Sequence, residues 1–315
     1  MIIIFNNMEK REIEGETLEY LVQCGLKAVL DLLIPRQCLV CGRSLDAAEK
    51  HLCRECLEDL PRTYYWLRKF NPMADRFNAL IQEEQIQQSI QQKQQYEAKD
   101  YCSHHKTNGQ TSKTKSEKTD TLNEVETAME QDWQSGRAHI YYAFAAALFF
   151  YRAESEYRRI PYQIKYHGDI PAGRFFGRQL GQKIAGAEHF ADVDAVIPVP
   201  LHWTRKWSRG YNQAEVIAHE VATALGAELR TDILERCRRT RTQTKLTIEG
   251  KAANVQGAFR VLPGASDHAS LKHLLLIDDV FTTGSTLHAC YTALRTSFPP
   301  SVRISVATLA FVGEN

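Results

Sequence analysis

The sequence predicts an α/β fold, a parallel sheet flanked by helices, preceded by a small cysteine-rich module. Two observations carry this. Apolar runs at Val193–Pro198 and His273–Val280 are each followed by a helical pattern, at Gln213–Leu225 and from a Thr-Thr-Gly-Ser-Thr turn to about Leu294. Strand followed by helix in succession implies βαβ units and a parallel sheet, with ligands bound beyond the carboxyl ends of the strands. The other observation is a cluster of four cysteines between Cys38 and Cys56.

Taken in order, residues 1–34 predict an amphipathic helix. Leu18, Leu21, Val22, Leu26, Val29, Leu30, Leu32 and Leu33 recur at roughly helical spacing until Pro35 stops the pattern. Ile2–Phe5 has no basic stretch ahead of it and is too short for a signal peptide, so a cytoplasmic protein is expected. Residues 35–72 hold the cysteine module. Residues 73–136 contain Gln-Glu-Glu-Gln-Ile-Gln-Gln and a long run of Lys, Thr, Ser and Glu with sparse apolar residues. Such a segment buries too little surface to offset its ordering entropy, and is predicted to be a largely disordered insertion. Residues 137–315 form the α/β domain. Its most apolar stretch, Ala138–Tyr151, is shorter than the roughly 20 residues a membrane span needs and reads as a buried element.

The whole chain has 315 residues, 43% hydrophobic and 24% charged, with 39 Lys+Arg against 38 Asp+Glu. That balance excludes a generally basic nucleic-acid binder while leaving room for local basic patches.

Cys38-Leu-Val-Cys41-Gly42 and Cys53-Arg-Glu-Cys56 are two CxxC pairs separated by eleven residues. Each pair presents two thiolates, and four thiolates suit one tetrahedral zinc ion in a closed, structural site. A redox dithiol would need only one such pair.

The most specific segment is Leu274-Leu-Leu-Ile-Asp278-Asp279-Val-Phe-Thr282-Thr283-Gly284-Ser285-Thr286. An apolar strand delivers two carboxylates to its end, and a Thr/Gly/Ser turn then enters a helix, where free backbone N–H groups cradle phosphate. Carboxylates beside such a cradle suit sugar hydroxyls and a Mg²⁺ shared with pyrophosphate. A ligand carrying a sugar diol, a 5′-phosphate and a pyrophosphate would use every part.

These residues resemble the 5-phosphoribosyl 1-pyrophosphate (PRPP) motif of type I phosphoribosyltransferases. The resemblance implies that Asp278 and Asp279 contact the ribose hydroxyls and that Thr282, Thr283, Gly284, Ser285 and Thr286 bind the 5′-phosphate. Further blocks narrow it. Val196-Ile-Pro-Val-Pro-Leu201 with Arg209-Gly-Tyr-Asn212-Gln213 is similar to the ComF/GntX family. So are Lys165-Tyr-His-Gly168, Arg236-Cys-Arg238-Arg-Thr-Arg-Thr-Gln243, Lys251-Ala-Ala-Asn254, and a zinc ribbon ahead of the transferase domain. By this resemblance Lys165 and Arg209 join the acidic pair as catalytic residues. Arg209, Asn212, Gln213, Arg236, Arg238, Gln243 and Lys251 become loop contacts. Lys251 stands where many relatives have arginine, which forgoes a bidentate phosphate contact. The family is implicated in natural competence and DNA uptake.

Thr204–Asn212 and Arg236–Lys245 carry basic residues and no acid. On a phosphoribosyltransferase scaffold the first lies where pyrophosphate binds, and the second matches a loop that closes over substrate. Two functions follow. One is a PRPP- and Mg²⁺-dependent glycosyltransferase with an unidentified acceptor. The other is a non-enzymatic adaptor that binds single-stranded DNA or protein partners, such as a competence helicase and a DNA-loading protein. Trp203, Trp207 and Tyr211 beside the first basic loop are able to stack on bases, although two tryptophans four apart on a helix could equally pack inward.

Overall fold

The computed structural model describes residues 36–104, 142–237, 257–264 and 271–313. The expected 1–34 helix, the segment from residue 105 to 141, and Arg238, Gln243 and Lys251 lie outside the described residues.

The core is a five-stranded, wholly parallel sheet. Its strands, in chain order, are β1 (Ala145–Tyr151), β2 (Ala195–Pro198), β3 (Glu228–Leu229), β6 (His273–Phe281) and β7 (Arg303–Val312), and they lie side by side as β1-β7-β6-β2-β3. A short antiparallel ribbon, β4 (Leu234–Arg236) with β5 (Phe259–Val261), sits apart. β6 and β7 are buried over nearly their whole lengths, as expected of strands covered on both faces. In β6 only the residues at its carboxyl end, Asp278 and Val280, are partly exposed, so the central strand is the one that ends in the acidic pair.

Helices α3 (Arg159–Tyr166), α4 (Ile170–Ala185), α5 (Trp203–Arg209), α6 (Gln213–Leu225) and α7 (Ser285–Ser297) complete this domain. α4 packs directly on α6 because Gly173, Gly177 and Gly181 recur every four residues along one face. A Cβ on Gly181 would lie 2.8 Å from that of Ala224, and one on Gly177 would lie 3.1 Å from the Cα of Ile217. Asn212 caps α6 by accepting from the Ala214 N–H, and Gly226 ends it with φ +66°.

The cysteine module, with the short helix α1 (Arg54–Glu58), shares the core of the sheet domain. Cys38, Val40, Leu52, Cys53, Leu60 and Trp66 belong to the same apolar cluster as Phe149, Phe176 and Leu309. Its connecting chain covers the open edge of β1: Phe150 N–H donates to the Pro61 carbonyl, and the Thr63 hydroxyl donates to that of Ala147.

The disordered insertion expected over residues 73–136 is corrected over its first half. Pro72–His104 forms one helix, α2, about 50 Å long at 1.5 Å per residue. Met73, Phe77 and Ile81, four residues apart, are buried against Phe281 and Tyr291. The Asn78 side-chain amide behaves like a neighbouring strand, accepting from the Ala143 N–H and donating to its carbonyl, both at 2.9 Å. Beyond this anchor the sequence is rich in Gln, Glu and Lys, which are good helix formers even without apolar partners. Among the described residues no helix is long and apolar enough to cross a membrane.

One buried group couples the fold to pH. His273 at the start of β6 is 0% exposed, with Nδ1 2.9 Å from Asp192 Oδ1 and Nε2 2.8 Å from Ser305 Oγ. Burial pushes its pKa down to about 4, with Asp194 opposing. Asp192 is already paired with Arg303, so it accepts from a neutral imidazole without drawing a second proton in. The folded-state value lies below the unfolded one, so between them the unfolded chain binds the proton more readily. The stabilisation is therefore complete above pH about 6.5 and lost as pH falls towards 4, amounting to about 3 kcal/mol. Urea unfolding from pH 7 to 4.5 is expected to show this slope in the natural chain and a flatter one in His273→Asn.

Candidate functional site

Two sites emerge, joined through α3. In the first, Gly42 at φ +75° turns the chain after Cys41, and its N–H donates to the Cys38 carbonyl at 2.9 Å. Cys53 caps α1, accepting from the Cys56 N–H. These turns bring the sulfurs of Cys38, Cys41, Cys53 and Cys56 within 4.8 Å of one another, with Cys41 Sγ and Cys53 Sγ 3.7 Å apart. A tetrahedron with Zn–S bonds of about 2.3 Å has an edge of about 3.8 Å, so the four sulfurs fit one zinc ion. The electrostatics agree. Burial and the three neighbouring sulfurs push the Cys56 thiol well up. Burial raises the Cys38 thiol too, but backbone donors of Cys53, Cys41 and Val40 outweigh it and bring it down to about 7. Four thiolates this close need a cation between them.

The second site is at the carboxyl end of β6. Asp279 is 3% exposed, and its Oδ2 lies 3.3 Å from Lys165 Nζ on α3 and accepts from Gln213 Nε2 at 3.4 Å. Arg209 Nη1 donates in turn to Gln213 Oε1 at 3.3 Å, while its guanidinium lies 5.3 Å from the Tyr166 ring centre. Four residues singled out from the sequence therefore form a chain of contacts: Lys165, Asp279, Gln213 and Arg209. Asp279 raises the Lys165 pKa against the opposing effect of burial, with Asp278 adding to it. Burial, and after it the Asp279 charge, raises Asp278 to about 7. The pair is thus short of positive charge, and its oxygens are hard donors of the kind that Mg²⁺ prefers.

After Asp279 the chain enters the turn. Gly284 has φ +82° at the head of α7, Thr283 and Ser285 hydroxyls are 2.9 Å apart, and Thr282 is exposed. Asp278, Thr282, Thr283, Gly284, Ser285 and Thr286 line one small recess.

The remaining expected contacts are dispersed. Asn212 serves the fold, capping α6 and donating to the Val199 carbonyl at 3.1 Å. Arg236 lies on the β4–β5 ribbon with its guanidinium 5.0 Å from the Phe259 ring centre. The first basic loop is helix α5, and Trp203 and Trp207 are 71% and 89% exposed on it rather than packed inward.

A larger cavity adjoins the acidic turn, and the motifs name only part of its lining. It measures about 580 Å³ and is lined by Tyr151, Arg158, Arg159, Tyr162, Lys165, Tyr166 and Thr282, among others. Its wall, α3 with the Glu156–Arg158 turn that leads into it, is tied to the cysteine module. Arg159 Nη1 donates to the Val40 carbonyl at 3.0 Å, and the Tyr157 hydroxyl donates to the Cys56 carbonyl at 3.1 Å. Lys165, Tyr166 and Thr282 stand in motifs already named, whereas Tyr151, Arg158, Arg159 and Tyr162 stand in none.

Parts of the chain are similar to known proteins. Residues 29–65 match the model of the double zinc ribbon domain. The four cysteines in that span suffice for one ion. Competence protein F of Haemophilus influenzae is 36% identical over 102 residues, 32% of this chain and 44% of the relative. DNA utilization protein YhgH of Salmonella typhi is 36% identical over 130 residues, 40% of this chain and 55% of the relative. The chain thus spans about half the length of the relatives it matches. Adenine phosphoribosyltransferase of Trypanosoma brucei, solved with AMP, pyrophosphate and ribose-5-phosphate, superposes with a TM-score of 0.28 at 9% identity, over 46% of this chain and 66% of that one. That of Leishmania tarentolae gives 0.25 at 12% identity, over 51% and 81%. Scores this low add no argument, and the strand order itself carries the fold class. The resemblance to the ComF/GntX family read from the motifs is met by homologues named Competence protein F and DNA utilization protein YhgH, behind a segment that matches a zinc ribbon.

Proposed function

We propose that the protein binds PRPP with Mg²⁺ at the end of β6 and serves natural competence or DNA uptake, as a PRPP-dependent phosphoribosyltransferase. The observation that carries this reading is the acidic pair on the central strand, directly followed by a glycine-hinged turn at a helix head and held by Lys165 and Gln213. Asp278 and Asp279 accept from the two ribose hydroxyls. The backbone N–H groups and hydroxyls of Thr282–Thr286 hold the 5′-phosphate. Mg²⁺, held by the acidic pair, supplies neutralisation of the pyrophosphate charge. Lys165 fixes the Asp279 carboxylate, and Arg209 and Gln213 brace it from the other side. The names of the two relatives support the role in DNA uptake.

Isothermal titration of the full chain with PRPP and Mg²⁺ tests the site. Saturable binding is expected, weakened at least 100-fold in Asp278→Asn/Asp279→Asn, about 3 kcal/mol for the loss of two charge-assisted hydrogen bonds. An absence of heat in the natural chain overturns the reading.

A second reading, an adaptor for single-stranded DNA, is favoured by one observation. Trp203 and Trp207 stand exposed on a helix whose sequence also contains Arg205, Lys206 and Arg209. It expects binding to oligonucleotides that falls steeply with salt and survives substitution of the acidic pair.

A further inference from the structure

We infer that the 580 Å³ cavity beside the acidic turn is a subsite for a planar aromatic molecule carrying a carboxylate, and that this molecule is the acceptor. The inference rests on the PRPP reading for the acceptor's role but not for the cavity's chemistry.

The size falls within the range of small-molecule pockets. The aromatic preference comes from three tyrosines on two elements: Tyr151 at the end of β1, and Tyr162 and Tyr166 on α3. Tyr162 and Tyr166 face each other at 4.9 Å and are 53% and 52% exposed. Large aromatic side chains left this open beside a cavity offer a surface on which a flat ring stacks. The charge preference comes from Arg158, Arg159 and Lys165, with no acidic side chain in the lining. Lys165 is engaged by Asp279, and Arg159 by Glu156 and the Val40 carbonyl. Arg158 donates to the Ala153 carbonyl at 2.7 Å and makes no ion pair among the described residues. Its guanidinium is therefore the group with donors left for a carboxylate, in the planar, two-point geometry that arginine favours.

Thr282 lines both this cavity and the turn recess, and Lys165 reaches from the cavity lining to Asp279, so an acceptor ring here adjoins the site assigned to the sugar. In the transfer, a ring nitrogen forms the bond to C1 of the ribose as the C1–O bond to pyrophosphate breaks. The electron pair of that bond leaves with pyrophosphate; a nitrogen that carries a proton, as in orotate, releases it to solvent, and a pyridine nitrogen, as in quinolinate, becomes a pyridinium.

Isothermal titration of the full chain with orotate and quinolinate, against adenine and succinate as the uncharged ring and the non-aromatic dianion, separates the contributions. At least one aromatic carboxylate is expected to bind ten-fold or more tightly than adenine and succinate. Tyr162→Ala should weaken it about ten-fold, Tyr162→Phe should restore it, and Arg158→Ala should erase the preference over adenine. PRPP affinity should be unchanged in Tyr162→Ala. Loss of PRPP binding in the natural chain, with aromatic carboxylate binding intact and sensitive to Tyr162, would overturn the PRPP reading and leave the subsite standing. No aromatic carboxylate binding, binding of adenine or succinate as tightly, or indifference to both Tyr162→Ala and Arg158→Ala overturns the subsite.

Discussion

A Cys53→Ser chain is expected to carry no stoichiometric zinc and to unfold at least 10 °C below the natural protein, which should contain one zinc per chain by elemental analysis. Cys53 is the most consequential of the four cysteines. It is 0% exposed, its sulfur lies 3.7 Å from that of Cys41, and it caps α1. Structural zinc in small domains contributes about 10–16 kcal/mol of apparent folding free energy, comparable to the roughly 5–15 kcal/mol net stability of a typical domain. The loss would not stay local, because Cys38, Val40, Leu52 and Cys53 are part of the core that β1 and α4 share. A chelator should reproduce the effect in the natural chain, and added zinc should reverse it. Full stability in Cys53→Ser, or four freely titrating thiols in the purified protein, would contradict a structural ion.

Gly284→Ala is expected to destabilise the α/β domain through both backbone strain and overpacking. At φ +82° any L side chain is strained by about 1–2 kcal/mol. Here the new Cβ would also sit 2.6 Å from Phe281 Cζ and 3.0 Å from Leu80 Cδ1. Phe281 is packed against Phe77 and Phe311 and has little room to yield. Overpacking of this kind adds about 1–3 kcal/mol, for a total of about 2–5 kcal/mol. Gly210 provides the control. It has φ +79° and open space for 4 Å around the position a Cβ would take, so Gly210→Ala should cost only the backbone strain. Urea unfolding of both variants checks the difference, and equal losses would show that the packing around Gly284 relaxes freely.

These two sites are also the most legible in the sequence, for a shared reason. Each is local: two CxxC turns, or one strand end and the turn after it, so the chemistry lies within a few consecutive residues. The parallel sheet is legible because β2 and the first half of β6 are buried on both faces and read as apolar runs, each followed by a helical pattern. Lys165, Gln213 and Arg209 are found only through motif resemblance, since their meeting with Asp279 depends on how α3, α5 and α6 converge. The tyrosine-lined cavity is legible only through Lys165, Tyr166 and Thr282, because Tyr151 and Tyr162 belong to different elements and form no spaced motif. The Gln-rich stretch misleads for a different reason. Its low apolar content is an average over some sixty residues, while its first turns place Met73, Phe77 and Ile81 on one buried face. Those residues, with Asn78, are enough to dock a helix whose remainder needs no core.

The hydrogen bonds from Arg159 to Val40 and from Tyr157 to Cys56 have a thermodynamic corollary. The helix bearing the cavity wall leans on the carbonyls of the cysteine turns, so the metal and any molecule in the cavity act on one shared piece of backbone. Whatever factor zinc lends to the affinity of that molecule, the molecule must return to the affinity of zinc. Metal retention in a chelator competition, measured with and without an occupant, is therefore a readout of the cavity that requires no knowledge of the reaction.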